Sequence, residues 1–149
     1  MIFRQIFVHA QDLPKNRASG GLRPVVSDER ALTEDCDMVG KYKVITLCGS
    51  TRFRKEFEEA QKRLTLEGNI VISVGLFGHS GDGEVWEGMD EGTLTKTKEM
   101  LDDMHKRKID MADEIFVVNV GGYIGESTRS EIEYAEKTGK PVRYLENLN

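Results

Sequence analysis

The residues best suited to chemistry follow a short apolar run, at Cys48-Gly-Ser-Thr-Arg52. If this segment joins a strand to a helix, its backbone N–H groups face outward at the positive end of the helix dipole, where anions bind. Gly49 permits the close approach of a ligand. Ser50 and Thr51 supply hydroxyl donors, and Arg52 supplies a forked cation. We therefore predict a phosphate-binding turn. The alternative is an ordinary helix start, capped by Ser50 or Thr51.

A second glycine-rich segment, 121–131, also follows an apolar run and leads into a helix. It ends in a carboxylate, Glu131, which we place in the first helical turn, pointing into a cleft at the sheet edge. A carboxylate in that position can attack an anomeric carbon, as in retaining glycosidases. The alternative is structural, because Thr128-x-x-Glu131 also fits a capping box, in which the glutamate bonds back to the helix start.

The third candidate segment lies in a long glycine-rich stretch at residues 75–94. Within it, Phe77 is a candidate to stack on a base, and His79 to hydrogen-bond a sugar or a phosphate. Long loops inside compact domains are usually lids or binding loops. The alternative is a flexible loop with an incidental aromatic residue, and it applies equally to Trp86.

Regular elements must position these three segments, and the hydrophobic pattern from Lys43 onward predicts them. Apolar runs typical of buried strands lie at 43–48, 70–74, 115–118 and 141–145, the last as an edge strand. Stripes at helical spacing lie between them at 51–67, 95–112 and 127–138. Alternating strands and helices predict an α/β fold with a parallel sheet of four to five strands, Rossmann-like or flavodoxin-like, and helices on both faces.

This fold predicts where a ligand binds. In open parallel sheets, ligands bind outside the carboxyl ends of the strands, at the point where the strand order reverses. The three candidate segments all follow predicted strands, so we expect them at that edge.

The domain division falls near residue 40. Residues 1–40 contain Pro14, Ser19-Gly-Gly21, Pro24 and a charged stretch, a composition that favours loops over packed elements. We predict an irregular N-terminal extension there and one α/β domain over residues 41–149.

Composition excludes several classes of function. The chain has 149 residues, of which 38% are hydrophobic and 32% charged, and its net charge of −5 disfavours general nucleic-acid binding. No apolar run approaches the roughly 18 residues of a membrane span, and no secretory signal is visible. Two cysteines, Cys36 and Cys48, make no framework of disulfides or metal ligands. We therefore expect a cytoplasmic protein without membrane contact, and no metal-ligand cluster is visible.

Three motifs in order carry a resemblance to a known family. Cys48-Gly-Ser-x-Arg52 is followed by Met111-Ala-Asp-Glu-Ile-Phe-Val-Val118 and by Ser130-Glu-Ile-Glu-Tyr-Ala135. From about Lys43 to Leu145 the chain resembles the nucleoside 2-deoxyribosyltransferase superfamily, and the first motif is particularly similar to its 2′-deoxynucleoside 5′-phosphate N-hydrolase branch. The resemblance implies that Glu131 is the nucleophile and that Gly49, Ser50 and Arg52 contact the 5′-phosphate.

The chain departs from the family pattern at several positions. The family has an aspartate eight residues before its "AD" aspartate, but here that position is His105. Either His105 takes the acid role or Asp102 does, one turn earlier, while the structural alternative makes His105 a solvated residue in a basic stretch. Gly125 replaces a frequent Asp or Ser, and Ser127 or Thr128 is near enough to substitute as a phosphate or ribose contact. Glu133 also stands where the family often has glycine.

The expected function is therefore cleavage or transfer of the N-glycosidic bond of a (deoxy)nucleoside or its 5′-monophosphate. This chemistry needs no metal or organic cofactor, and the family implies a homodimer or higher homo-oligomer. Two alternatives remain: a nucleotide-binding or sensor protein without turnover, and a phosphoribohydrolase-like enzyme that releases free base. The latter rests on Gly121-Gly-Tyr-Ile-Gly-Glu-Ser127, which loosely resembles the "PGGxGT" loop of such enzymes.

Overall fold

A computed structural model describes residues 39–148 of the chain. The extension expected over residues 1–40 lies outside the described residues except for Val39 and Gly40. Val39 pairs with Tyr42 across a tight turn. None of the helices within residues 39–148 combines the length and the hydrophobicity that crossing a bilayer demands.

The described residues form a parallel sheet of four strands, which confirms the expected α/β class. The strands are β1 (Val44–Gly49), β2 (Ile70–Ile72), β3 (Glu114–Val118) and β4 (Val142–Tyr144). Their order across the sheet is β2-β1-β3-β4, and every pairing is parallel. The last strand is an edge strand, as predicted, and the strand order reverses between β1 and β3.

Three helices cover the two faces of this sheet: α1 (Arg54–Leu66), α2 (Glu91–Asp110) and α3 (Glu126–Lys137), together with short 3₁₀ turns at Gly83–Trp86 and Val120–Gly122. Strand side chains alternate between the faces, so successive residues of β1 enter different cores. Ile45 and Leu47 pack with α1 on one face. Cys48 packs on the other face, with residues of α2 and α3.

The starts of α1 and α2 differ from the expected ones. Neither Ser50 nor Thr51 caps α1, because residues 50–53 make a separate turn in which the N–H of Phe53 donates to the carbonyl of Ser50 at 3.1 Å. α2 begins at Glu91 rather than near residue 95, because Asp90 caps it by accepting from the backbone N–H of Thr93 at 3.0 Å.

The start of α3 excludes the capping-box interpretation of Glu131. Gly125 is the residue that precedes the helix, and no side chain caps it. Thr128 therefore lies inside the helix and is buried, and Glu131 lies in the second turn rather than the first. The capping box is wrong, because the helix begins before its threonine and leaves Glu131 no helix start to bond.

Gly49 allows the carboxyl ends of β1 and β3 to approach closely. It pairs with Val118, and its φ of 152° lies in the region that favours glycine. A Cβ at this position would lie 2.9 Å from the carbonyl oxygen of Val118 and 3.2 Å from the ring of Phe57. The glycine is therefore required by packing between the strands and α1, whatever its role toward a ligand.

Directly after β3, Asn119 hydrogen-bonds the segment that follows β4. Its buried amide donates to the carbonyl of Glu146 and accepts from the N–H of Glu146, both at 2.9 Å. The segment after β4 is thereby held beside the turn that leads to α3.

We predict that Gly49→Ala lowers the free energy of unfolding by about 1–3 kcal/mol, the usual effect of overpacking a close contact. Denaturant unfolding monitored by circular dichroism measures it. Gly75→Ala is the control, since a Cβ there meets nothing within 4 Å and we expect almost no change. Equal stabilities of the two variants would contradict the packing argument.

Candidate functional site

The three segments singled out from the sequence meet at the carboxyl edge of the sheet. The hydroxyl of Thr51 lies 2.6 Å from Nδ1 of His79, and the hydroxyl of Ser80 donates to the carbonyl of Thr51 at 2.9 Å. The guanidinium of Arg52 lies over the ring of Tyr123, 4.6 Å from its centroid. The turn after β1 therefore contacts both the loop after β2 and the loop after β3, as the fold class predicts.

Glu131 lies beneath this edge, in a cluster with one residue from β1 and one from α2. Its Oε2 is 3.8 Å from Nε2 of His105, and the same nitrogen is 3.4 Å from Sγ of Cys48. Cys48 and His105 are buried, and the side chain of Glu131 is 14% exposed. Oε2 of Glu131 is buried without a hydrogen-bond partner among the described residues.

A narrow cleft of about 30 Å³ between α2 and α3 leads to this carboxylate. Its lining residues are Asp102, Lys106, Ser127, Ser130 and Glu131. A space of this size holds about one water molecule. The cleft thus brings together Asp102, Ser127 and Glu131, three of the residues predicted from the sequence, with His105 directly beneath.

Other predicted site residues lie outside the lining of this cleft. Gly49 is the last residue of β1, next to Cys48, and the turn that follows it at the sheet edge contains Ser50, Thr51 and Arg52. Phe77 packs against the α1 face, with its ring centroid 5.5 Å from that of Phe57. The contacts of Phe77 are therefore those of a core residue, and its proposed stacking on a base stays a prediction.

Burial sets the charge state of Glu131. The pKa of its carboxyl is raised from the ordinary 4.5 to about 7, chiefly by removal from water and in smaller part by the negative charge of Asp102. The neighbouring thiol of Cys48 and the positive charge of Lys106 act in the opposite direction. Near neutral pH the carboxyl is therefore divided between its ionised and protonated forms.

Burial keeps His105 neutral. The pKa of the imidazole is lowered from 6.5 to about 4, chiefly by removal from water and in smaller part by the positive charge of Lys108. The backbone of Leu47 acts in the opposite direction. The prediction of a solvated His105 is wrong, because Ile109, one turn later on the same face of α2, is fully buried and takes His105 into the core with it.

Cys48 is the member of the cluster that sequence reasoning missed as a site residue. Burial and the neighbouring Glu131 raise the pKa of its thiol well above the usual 9.0, so it is a poor nucleophile. Ligand atoms of Cys48, His105 and Glu131 all lie within 4.8 Å of one another, which makes them, among residues 39–148, the group suited to hold a metal ion. These three residues cannot be recognised as a ligand set from their spacing in the sequence, because each belongs to a different strand or helix.

We predict opposite pH dependences from the two buried groups. Between pH 4.5 and 7 the folded protein holds a proton on Glu131 that the unfolded chain has lost, so this contribution to stability falls as pH rises. Between pH 4 and 6.5 the unfolded chain protonates His105 while the folded protein does not, so that contribution rises with pH. Over the shared interval the two effects oppose each other.

Glu131→Gln removes the pH-dependent contribution of Glu131 to stability and leaves that of His105. From pH 4.5 to 6.5 we expect its stability to rise relative to that of the unmodified protein by up to about 1.4 kcal/mol per pH unit. Denaturant unfolding in buffers that contain a chelator measures this difference. Glu133→Gln, on the exposed side of the same helix, is the matched control. If the Glu131→Gln curve parallels that of the unmodified protein, Glu131 does not titrate as a buried group.

A scan against models of protein families and a search of curated proteins both found no match to this chain. The function is therefore inferred from the residues of the chain itself.

Proposed function

We propose that the protein cleaves or transfers the N-glycosidic bond of a (deoxy)nucleoside or its 5′-monophosphate, with Glu131 as the nucleophile. The observation that carries the proposal is the carboxylate of Glu131, which is desolvated and reaches the cleft between α2 and α3. A carboxylate removed from water stabilises a developing oxocarbenium charge better than a solvated one, because the local dielectric is lower.

In the first step, the ionised form of Glu131 bonds to C1′ of the sugar as the bond from C1′ to the base nitrogen breaks. The electron pair of that bond leaves with the base, which takes a proton from solvent at the cleft mouth, beside Asp102. In the second step, water attacks C1′, releases the carboxylate and loses its proton to solvent. A second base that attacks instead of water gives transfer.

His105 takes a different role from the acid that sequence analysis considered. With a pKa of about 4 it is neutral at pH 7, so it carries no readily available proton for the leaving base. Its Nε2 lies 3.8 Å from Oε2 of Glu131, too far for a hydrogen bond, so the ring restricts the carboxylate by packing against it. In our proposal His105 is a positioning residue, and Asp102 faces the substrate.

The turn after β1 supports the phosphate part of the proposal. The helices α1 and α3 both begin near the strand reversal, and neither has a side-chain cap, so their first backbone N–H groups remain available to an anion. Arg52 is an exposed cation that lies over Tyr123, three residues before the start of α3. The resemblance of the turn after β1 and of the segment 130–135 in α3 to the nucleoside 2-deoxyribosyltransferase superfamily supports the same reaction class.

The narrowness of the cleft favours a second candidate, nucleotide binding without turnover. About 30 Å³ does not admit a sugar, so C1′ reaches Glu131 only if side chains of α2 and α3 move apart. A protein that uses only the outer turns would bind a nucleotide and leave this carboxylate unused.

The expected homo-oligomer and cytoplasmic location also stay predictions. Met100 and Met104, which are exposed on α2, offer apolar surface for a second copy.

We expect Glu131→Gln to lower base release by at least about 1,000-fold, because an amide cannot attack C1′. Chromatography of free base, from a panel of ribo- and deoxyribonucleosides and their monophosphates, measures it. Glu133→Gln on the same helix controls for the loss of a negative charge and should keep full activity. Retention of a tenth or more of the activity by Glu131→Gln would falsify the mechanism. Calorimetric binding of a monophosphate without base release would support the second candidate.

We expect Arg52→Ala to weaken binding of the monophosphate by roughly ten- to a hundred-fold, the loss of one hydrogen bond to a charged group. Binding of the matching nucleoside should hardly change, because the substitution leaves the cleft intact. Calorimetry with both ligands tests this. Arg63→Ala, near the other end of α1, is the control and should bind like the unmodified protein. Equal affinities of the unmodified protein for nucleoside and monophosphate would favour the transferase branch, which acts on free nucleosides.

A further inference from the structure

We infer that Cys48, His105 and Glu131 form a binding site for one Zn²⁺ ion or a similar borderline-soft divalent cation. The three side chains come from β1, α2 and α3, so a bound ion would join the central strand to both helices that cover its face. This inference concerns metal binding and does not depend on the proposed reaction.

The geometry fits tetrahedral coordination. With ordinary zinc–sulfur, zinc–nitrogen and zinc–oxygen distances, adjacent ligand atoms lie about 3.4–3.6 Å apart. Here Sγ of Cys48 lies 3.4 Å from Nε2 of His105, and this nitrogen lies 3.8 Å from Oε2 of Glu131. The third pair, Sγ of Cys48 and a carboxylate oxygen of Glu131, lies within 4.8 Å, so the side chains must draw together to bind an ion.

The chemistry of the three groups selects the ion. One thiolate, one imidazole and one carboxylate suit Zn²⁺ or Co²⁺, whereas Mg²⁺ and Ca²⁺ prefer oxygen ligands alone. An ion would also give Oε2 of Glu131 the partner that it lacks among the described residues. The neutral imidazole is ready to coordinate through Nε2. The thiol loses its proton to solvent when it binds the metal.

The fourth position of the ion faces the cleft between α2 and α3. The cleft holds about one water molecule and is lined by Ser127 and Ser130, whose hydroxyls can hydrogen-bond a metal-bound water. The same opening is the entry path for the ion. A bound ion would occupy the carboxylate of Glu131, so any reaction that uses this group as a nucleophile would stop until a chelator removes the metal.

The test is a titration of the purified chain with Co²⁺, followed by displacement with Zn²⁺. We expect one equivalent to bind, with tetrahedral visible bands and a near-ultraviolet band from sulfur-to-cobalt charge transfer. Cys48→Ser should abolish the charge-transfer band, and Glu131→Gln should weaken binding by about 100-fold or more, since loss of an outer partner alone costs 10–100-fold. Circular dichroism establishes whether each variant is folded. If Cys48→Ser does not fold, the loss of affinity in Glu131→Gln still tests the site.

The chain offers a matched control for each type of ligand. Cys36→Ser removes the other cysteine, and His79→Gln removes an exposed histidine, so both variants should bind Co²⁺ like the unmodified protein. The inference is overturned if the unmodified protein binds no stoichiometric Co²⁺. It is also overturned if the charge-transfer band survives in Cys48→Ser or disappears in Cys36→Ser.

Discussion

The parallel pairing of β1 with β3 is the constraint on which the rest of the structure depends. Its register places Gly49 beside Val118, where only a glycine fits between the strand and Phe57. The turns after both strands therefore begin side by side, and Arg52 can reach Tyr123. The same register sets Cys48 one residue earlier, on the opposite face of the sheet, where it meets α2 and α3. One strand pairing thus positions both the turns and the buried cluster.

The buried cluster beneath these turns lowers the free energy of unfolding. Glu131 and His105 are both held away from water, and burial shifts both toward their neutral forms. Apolar residues of similar volume at these positions would pack between α2 and α3 without this cost. Perturbed titratable groups that lie together in a cleft are characteristic of functional sites, and this is the physical reason for placing the chemistry here.

Much of the fold could be predicted from the sequence because its signal is local. Continuous apolar runs identified the strands, and stripes at helical spacing identified the helices, whose order then required a parallel sheet. Helix starts were less predictable, since they depend on which turn residue the backbone uses. Asp90 caps α2 five residues before its predicted start at Thr95, and Gly125, which has no side chain to offer, precedes the first residue of α3.

The site could be predicted only in part. Glu131 and the turn after β1 were recognisable as motifs. The buried cluster of Cys48, His105 and Glu131 was not, because it forms only where faces of β1, α2 and α3 pack together. A signal for it was present: Cys48 alternates with Leu47 into the opposite core, and His105 lies one turn before the buried Ile109. Glu131 likewise lies one turn before the buried Ala135. These periodicities show which face of its own strand or helix each residue lies on. Only the order of the strands shows that the three faces meet, and no single segment of the sequence contains that order.

The contact between Asn119 and Glu146 has a consequence for biosynthesis. The pairing of β1 with β3 uses no residue beyond 118, but the amide of Asn119 gains its backbone partner only after residue 146 has been made, and water occupies its hydrogen bonds until then. During that interval the turn toward α3 lacks its anchor, and the edge of β3 that β4 will cover is open. This edge is therefore the last part of the described sheet to be completed as the chain is made.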